Sequence, residues 1–374
     1  MSGGLYGRGK APERACMKLT LWPDADRGVW RQALLPFDPF DPEGGDRATY
    51  SPVSNAKLEK GYGRWLTFLS IAYDLEGAPA LRITKKRVLA YAEALADLGN
   101  SRASILSRLQ ELLEMATLHA PGHDWAFIKR IAARIRSRPG KVRGKVHKLA
   151  ASGDLLDLGL SLMESATQQA TPRLRALDYR DGLMIALLSL RPLRRTNLAG
   201  LTLHSSLIEL GGAWSIHILA AETKNRTAID LPWPALLQDH LGVYLRVHRP
   251  ILMTLKSRWA SPIGDALWVS SHGSPMTGMA AYDQIRKRTR AHLGKAINPH
   301  MFRDAAATTM AIADPAHVRL ASTLLGHRST ATTERHYQQA QSLTAHRRYL
   351  LGLANLLGLS KNDKLPADAS CWEP

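Results

Sequence analysis

Residues 324–340 read LLGHRSTATTERHYQQA. An apolar, helix-like stretch ends in Gly326-His327, a Ser/Thr-rich segment follows, and Tyr337 stands among Glu334, Arg335, His336, Gln338 and Gln339. A tyrosine meant for a core has apolar neighbours at helical spacing. Tyr337 does not, and Arg328 and Arg335 flank the segment that joins it to His327. A side chain so placed is open to chemistry, and the composition indicates what kind.

The chain has 374 residues, enough for two or three domains. Fifty Lys and Arg stand against thirty-two Asp and Glu, a net charge of +18. Such an excess favours a polyanionic partner, usually nucleic acid or an anionic membrane surface. The membrane is the weaker reading, because no run approaches the roughly 20 apolar residues of a spanning helix. The N-terminal MSGGLYGRGKAPERACMK lacks the apolar stretch of a secretory signal. Cys16 and Cys371 lie far apart in the chain, which suits neither a disulfide framework nor a zinc site. A cytoplasmic, nucleoid-associated protein is the expectation.

Periodicity divides the rest. Residues 1–49 look irregular, with the Pro/Gly/Asp-rich PFDPFDPEGGD at 36–46, although Trp22 and Trp30 imply some docking. From 50 to 138 the pattern is helical. Leu58, Tyr62, Trp65 and Leu69 share one face. Thr84 caps a second helix carrying Val88, Tyr91 and Leu95, which stops at Gly99. A third follows Ser101 with Ile105, Leu109, Leu112 and Met115, and WAFIKRIAARIRSR forms a fourth. Residues 129–148 then hold nine basic residues and no acid, half of the net charge. They are Lys129, Arg130, Arg134, Arg136, Arg138, Lys141, Arg143, Lys145 and Lys148. Arg138-Pro139-Gly140 breaks the helix, so the run continues as a linker able to track a phosphate backbone. Helical pattern resumes at 151. LIEL, Gly211-Gly212 and WSIHIL then read as a hairpin, with TAIDLP as a third strand. After Pro234 the pattern is again mostly helical.

Several polar residues stand out of these patterns: Arg194 and Arg195 after an apolar helix, Lys224 in a turn, His300 and Arg303 as His-x-x-Arg on a helix, His327 and Tyr337. Singly, each is a weak motif. Together they suit phosphodiester cleavage. Arginines can hold the non-bridging oxygens through charge-assisted bonds. A tyrosine hydroxyl can attack phosphorus. A histidine can accept its proton, and a lysine can protonate the leaving sugar oxygen.

The order Arg…Lys…His-x-x-Arg…Leu-Gly-His…Tyr resembles that of the tyrosine recombinases, the phage integrase family. LLSLRPLRRTNLAGL at 187–201 is similar to the family's first box, and aligning Leu198 and Leu201 with the family leucines selects Arg194 over Arg191 and Arg195. ETKNRTAIDLP resembles the hairpin of the catalytic lysine, HMFRDAAATTMA the second box, and LLGHRSTATTERHYQ the third box with the nucleophile. The resemblance implies catalytic roles for Arg194, Lys224, His300, Arg303, His327 and Tyr337. Two positions depart from the pattern: Asn197 stands where the family has Glu, and Asp304 where it often has His.

The implied fold is mainly α with a small antiparallel β-sheet, a helical core-binding domain preceding a mixed α/β catalytic domain. The boundaries are an N-terminal extension at 1–49, the core-binding domain at 50–138, a basic linker at 139–150, the catalytic domain at 151–342, and a C-terminal helix and tail at 343–374. Leu350, Leu353 and Leu357 give that last segment a helical spacing, suited to docking on its own domain or on a neighbouring protomer. The implied activity is site-specific recombination or integration through a 3′-phosphotyrosine, with no metal, ATP or other cofactor. The implied partners are duplex DNA clamped between the two domains, a homotetramer in the synaptic complex, and accessory DNA-bending or partner recombinase proteins. Two rivals keep the resemblance: a type IB topoisomerase-like enzyme, and a degenerate member that binds DNA without cutting.

Overall fold

The computed structural model describes residues 15–36, 45–138, 150–223, 226–255 and 261–313. The contacts fall into two units, 1–142 and 143–374, each with its own core.

The first unit is helical. Its helices are α1 (Asp24–Ala33), α2 (Pro52–Ala72), α3 (Pro79–Arg82), α4 (Lys85–Asp97), α5 (Arg102–His119) and α6 (Ala126–Ser137). Hydroxyl caps set three of the starts. Ser51 accepts from Ser54 N at 3.2 Å with Pro52 in the first turn, Thr84 accepts from Arg87 N at 3.3 Å, and Ser101 accepts from Ser104 N at 3.2 Å. The faces read from the sequence turn inward: Leu58, Tyr62, Trp65 and Leu69 of α2, Val88, Tyr91 and Leu95 of α4, and Ile105, Leu109, Leu112 and Met115 of α5 are all buried.

The sequence reading missed α1. Its inward positions are only Asp26, Trp30 and Ala33, so an acid and a small residue dilute the apolar stripe. Tertiary partners hold it instead. Trp30 is fully buried, and Trp22 packs edge-on against Tyr62 with ring centroids 5.1 Å apart. Tyr62 donates its hydroxyl to Asp26 Oδ1 at 2.6 Å, and Arg82 pairs with Asp26 Oδ2. Met17 N donates to Gly63 O and to Thr67 Oγ1, both at 2.9 Å. Part of the segment expected to be irregular is therefore built into this core.

The second unit begins with α7 (Ser152–Ser165) and α8 (Pro172–Leu190). Two glycines let their backbones meet. A Cβ on Gly159 would lie 2.6 Å from Ala186 N, and one on Gly182 would lie 2.6 Å from Gly159 O. Leu183 to Leu188 are completely buried, which makes α8 the axis of the unit. The short α9 (Arg195–Ala199) follows, and then an antiparallel sheet of β1 (Leu207–Leu210), β2 (Ala213–Ile218) and β3 (Ile229–Pro232) in that order. Gly211 and Gly212, at φ +58° and +80°, form the expected two-residue turn. Leu207 pairs with Ile216 and Ile216 with Leu231, so Leu207, Ile216 and Ile218 face the core. Helices α10 (Gln238–Val243) and α11 (Arg249–Met253) run through a π-helical turn at Tyr244–His248. The last described helices are α12 (Gly278–Leu293), capped by Thr277, and α13 (Pro299–Ala313), whose first turn donates to Asn298 Oδ1 from His300 N at 2.9 Å. The fold is mostly helical with one small antiparallel sheet, the class read from the sequence.

Asp26 and Arg82 are a fully buried pair, 0% and 2% exposed. Removing one member leaves a buried charge without its counter-ion. Asp26→Ala should lower unfolding free energy by about 3–5 kcal/mol, measured by urea denaturation followed through tryptophan fluorescence. A loss well under 1 kcal/mol would show that α1 is held by its aromatic contacts alone.

Candidate active site

Leu190 ends α8, and Pro192 cannot continue a helix. The chain leaves as Arg191-Pro192-Leu193-Arg194-Arg195 and is fastened to the core by Leu193, Leu198 and Leu201, all buried. Trp268 Nε1 donates to Leu198 O at 2.8 Å, and Leu267 N donates to Leu201 O at 2.9 Å. Three arginines thus emerge between apolar anchors, and they go to different places. Arg191 donates from Nε to Pro232 O at 3.2 Å and from Nη1 to Leu190 O at 3.1 Å. Arg195 lies over the Tyr282 ring of α12, 5.8 Å from its centroid, with Arg286 on the same ring at 5.3 Å. Arg194, the residue that immediately precedes α9, is the arginine whose charge acts on Arg303.

Arg303 comes from α13 and is buried. Its Nη1 donates to Pro192 O at 2.6 Å, which ties α13 to the arginine-bearing turn. Burial is the main cause that pushes its pKa down to about 10; the like charge of Arg194 adds to this, and Asp304 opposes it. Burial also lowers the pKa of Arg194. Both guanidiniums keep their protons at neutral pH. The result is two forked cations sharing one electric field, an arrangement that favours an oxyanion such as a phosphodiester.

The departures from the family pattern have physical counterparts. Asp304 is buried, and its charge partly offsets the repulsion that Arg303 feels from Arg194. Asn197 is buried too; it accepts from Thr196 Oγ1 at 3.3 Å, while its amide nitrogen finds no hydrogen-bond partner among the described residues.

The other expected residues divide. His300 is on α13 one turn before Arg303, as the spacing implies, but its side chain is exposed whereas that of Arg303 is buried. Lys224, His327 and Tyr337 lie outside the described residues, although Thr223 and Arg226 on either side of Lys224 are described. Lys129, Arg130, Arg134 and Arg136 on α6, and Arg138 just after it, are exposed, while Ile128 and Ile131 turn inward. Lys141, Arg143, Lys145 and Lys148 fall outside the described residues. Among the described residues, no group of three or more His, Cys, Asp or Glu could hold a metal ion, and no helix is long and apolar enough to cross a membrane.

Sequence reading missed the buried ion network behind the arginines. Arg180 donates to Asp181 Oδ1 from Nε at 3.0 Å and from Nη2 at 2.6 Å, and to Val269 O at 2.7 Å. Arg288 of α12 pairs with Asp181 at 2.9 Å and with Asp178. Gln169 donates to the other oxygen of Asp178 at 2.7 Å. The signal was present as Asp178, Arg180 and Asp181 in the middle of α8, just before its apolar run, where charges survive only if partnered.

Residues 160–343 match the phage integrase family. The tyrosine recombinase XerC of Azotobacter vinelandii is 27% identical over 237 residues, 61% of this chain and 73% of that protein. A solved structure of the Tn1549 transposon integrase in complex with transposon right end DNA shares the fold, with a TM-score of 0.55, 16% identity and coverage of 86% of this chain and 98% of that one. The same integrase with circular intermediate DNA gives 0.51, 15%, 83% and 94%. Residues 160–343 are thus a domain of the phage integrase, or tyrosine recombinase, family.

The ion network clamps α8, which leads into Arg194, to α12, which leads into Arg303. A double-mutant cycle on Asp181→Ala and Arg288→Ala should give a coupling energy of about 1–3 kcal/mol in chemical denaturation. Additive losses would mean that the two residues are independently satisfied.

Proposed function

We propose that this chain is a site-specific DNA recombinase that cleaves and rejoins duplex DNA through a 3′-phosphotyrosine, serving the integration, excision or transposition of a mobile element. The observation that carries the reading is that Arg303, bonded to the Pro192 carbonyl, lies within the electric field of Arg194, inside the region that matches the family. Two guanidiniums on one phosphodiester neutralise the charge that grows on its non-bridging oxygens as the phosphorus becomes five-coordinate. Tyr337 is the nucleophile. Its Oη–P bond forms as the P–O5′ bond breaks, its proton passes to a histidine, His327 or His300, and Lys224 supplies the proton that completes the 5′-hydroxyl. The phosphoryl group stays in an ester, so a second 5′-hydroxyl can reverse the step and join a new strand without ATP.

Duplex DNA is the partner. Support comes from the net charge of +18, from the exposed basic face of α6, and from the structural likeness to an integrase solved on DNA. A homotetramer on two sites, with accessory DNA-bending or partner recombinase proteins, completes the reaction.

Wild-type protein incubated with a nicked duplex taken from the DNA bordering the gene should give a covalent adduct on a denaturing gel. Tyr337→Phe should bind and give none. Arg194→Ala and Arg303→Ala should slow adduct formation by about 100- to 1000-fold. Tight binding by wild type with no adduct would leave a DNA-binding member that does not cut.

The basic face of α6 makes a separate prediction. Each phosphate contact contributes about 0.9 to the slope of log K against log salt. Replacing Arg130 and Arg134 by Ala should flatten that slope by about 2 and weaken binding alike on all sequences. An unchanged slope in a fluorescence anisotropy titration would place the DNA elsewhere.

A further inference from the structure

The link between β2 and β3 is polar and mostly exposed, yet Thr223 within it is only 5% exposed. Its Oγ1 lies 2.8 Å from the Thr227 carbonyl and 3.1 Å from the Ala220 carbonyl, which share the single hydroxyl proton, and it accepts from Thr227 N at 3.0 Å. Thr223 N donates to Ala220 O at 3.2 Å, and Arg226 N donates to Thr223 O at 3.1 Å. Arg226 is held at φ +53°, in the left-handed region that a side chain rarely enters without compensation. Upstream, Glu222 Oε2 accepts from Leu219 N at 3.1 Å. At the base of the link, His217 Nδ1 and Asp230 Oδ1 join the facing strands at 2.7 Å.

One buried hydroxyl therefore gathers both flanks of the link, residues 220–223 and 226–227. A link that only joins strands needs no such fastening: the β1–β2 turn manages with two glycines. Lys224 follows Thr223 directly in the chain.

We propose that Thr223 is a positioning residue for the general acid of the proposed reaction: its hydroxyl fastens residues 220–223 to residues 226–227, the described flanks of Lys224, and proton delivery to the departing 5′-oxygen depends on that fastening. The inference rests on the strand-cleavage reading above. In that step the P–O5′ electron pair remains on oxygen and the lysine proton completes the hydroxyl; Thr223 touches neither group.

The test compares single-turnover cleavage of two nicked duplexes, one ordinary and one with sulfur in place of the bridging 5′-oxygen. A thiolate leaves without a proton, so the sulfur substrate bypasses the acid. Thr223→Val should cleave ordinary DNA about 100-fold more slowly than wild type, the scale of a small misplacement of a reacting group. Thr223→Ser should stay near wild type. On the sulfur substrate Thr223→Val should recover, and Lys224→Ala, run beside it, should recover too. Thr223→Ala, tested alongside, separates loss of the hydroxyl from misfit of a methyl. A variant slow on both substrates, or fast on both, would overturn the inference. Wild type that cleaves neither duplex would overturn the cleavage reading and this inference with it.

Discussion

The bond from Arg303 Nη1 to the Pro192 carbonyl is the constraint on which the arrangement of the site depends. A helix end leaves carbonyls without partners, and a proline just beyond it ensures that the helix cannot continue to use them. Just past that end, Arg303 meets the Pro192 carbonyl with a charged donor. The bond partly offsets the cost of burying the guanidinium and joins α13 to the exit of α8. Arg194 lies two residues beyond the anchored carbonyl. The spacing of the two arginines is thus set by backbone, whereas two long flexible side chains meeting over solvent would have to be ordered by the substrate itself.

Holding two like charges together costs free energy, and the second unit answers in layers. Asp304, buried beside Arg303 in sequence, draws its pKa upward. Farther back, Arg180, Asp181, Arg288, Asp178 and Gln169 form a connected network between α8 and α12. These are the helices that lead into the two arginine-bearing segments. Buried charges of this kind contribute little net stability, but each has a demanding geometry. Their effect is to define one relative placement of α8 and α12 out of the several that apolar packing alone would accept.

Much of this was legible. The hydroxyl caps at Thr84 and Ser101, the inward faces of α2, α4 and α5, and the Gly211-Gly212 hairpin are local signals, each carried by a few consecutive residues. The choice of Arg194 over Arg191 and Arg195 rested on register with two leucines. In the structure Leu198 and Leu201 are both anchored, and Arg191 and Arg195 take different partners. What local pattern did not reveal is whatever depends on distant residues. Helix α1 exists because Asp26 finds Arg82 and Tyr62, 56 and 36 positions away. The Arg288 network spans more than a hundred positions. His300 and Arg303 share a helix as read, but only their surroundings make one exposed and the other buried. Lys224, His327 and Tyr337 were legible only through order and resemblance, and they lie outside the described residues.

The residue types follow the same logic. Burial and a neighbouring cation lower the pKa of Arg303 to about 10, still well above neutrality. A lysine starts lower, so the same burial and like charge would push it toward its uncharged form sooner. A group that must stay charged while buried beside another cation therefore has to be a guanidinium, and both positions of the pair are arginine. The proton donor has the opposite requirement: it must release a proton within the reaction, which a guanidinium resists and an ammonium allows. In the proposed mechanism that task falls to Lys224, which follows Thr223 directly in the chain. Permanent charge on rigid, apolar-anchored backbone and transferable protons on polar segments divide the labour that phosphoryl transfer requires.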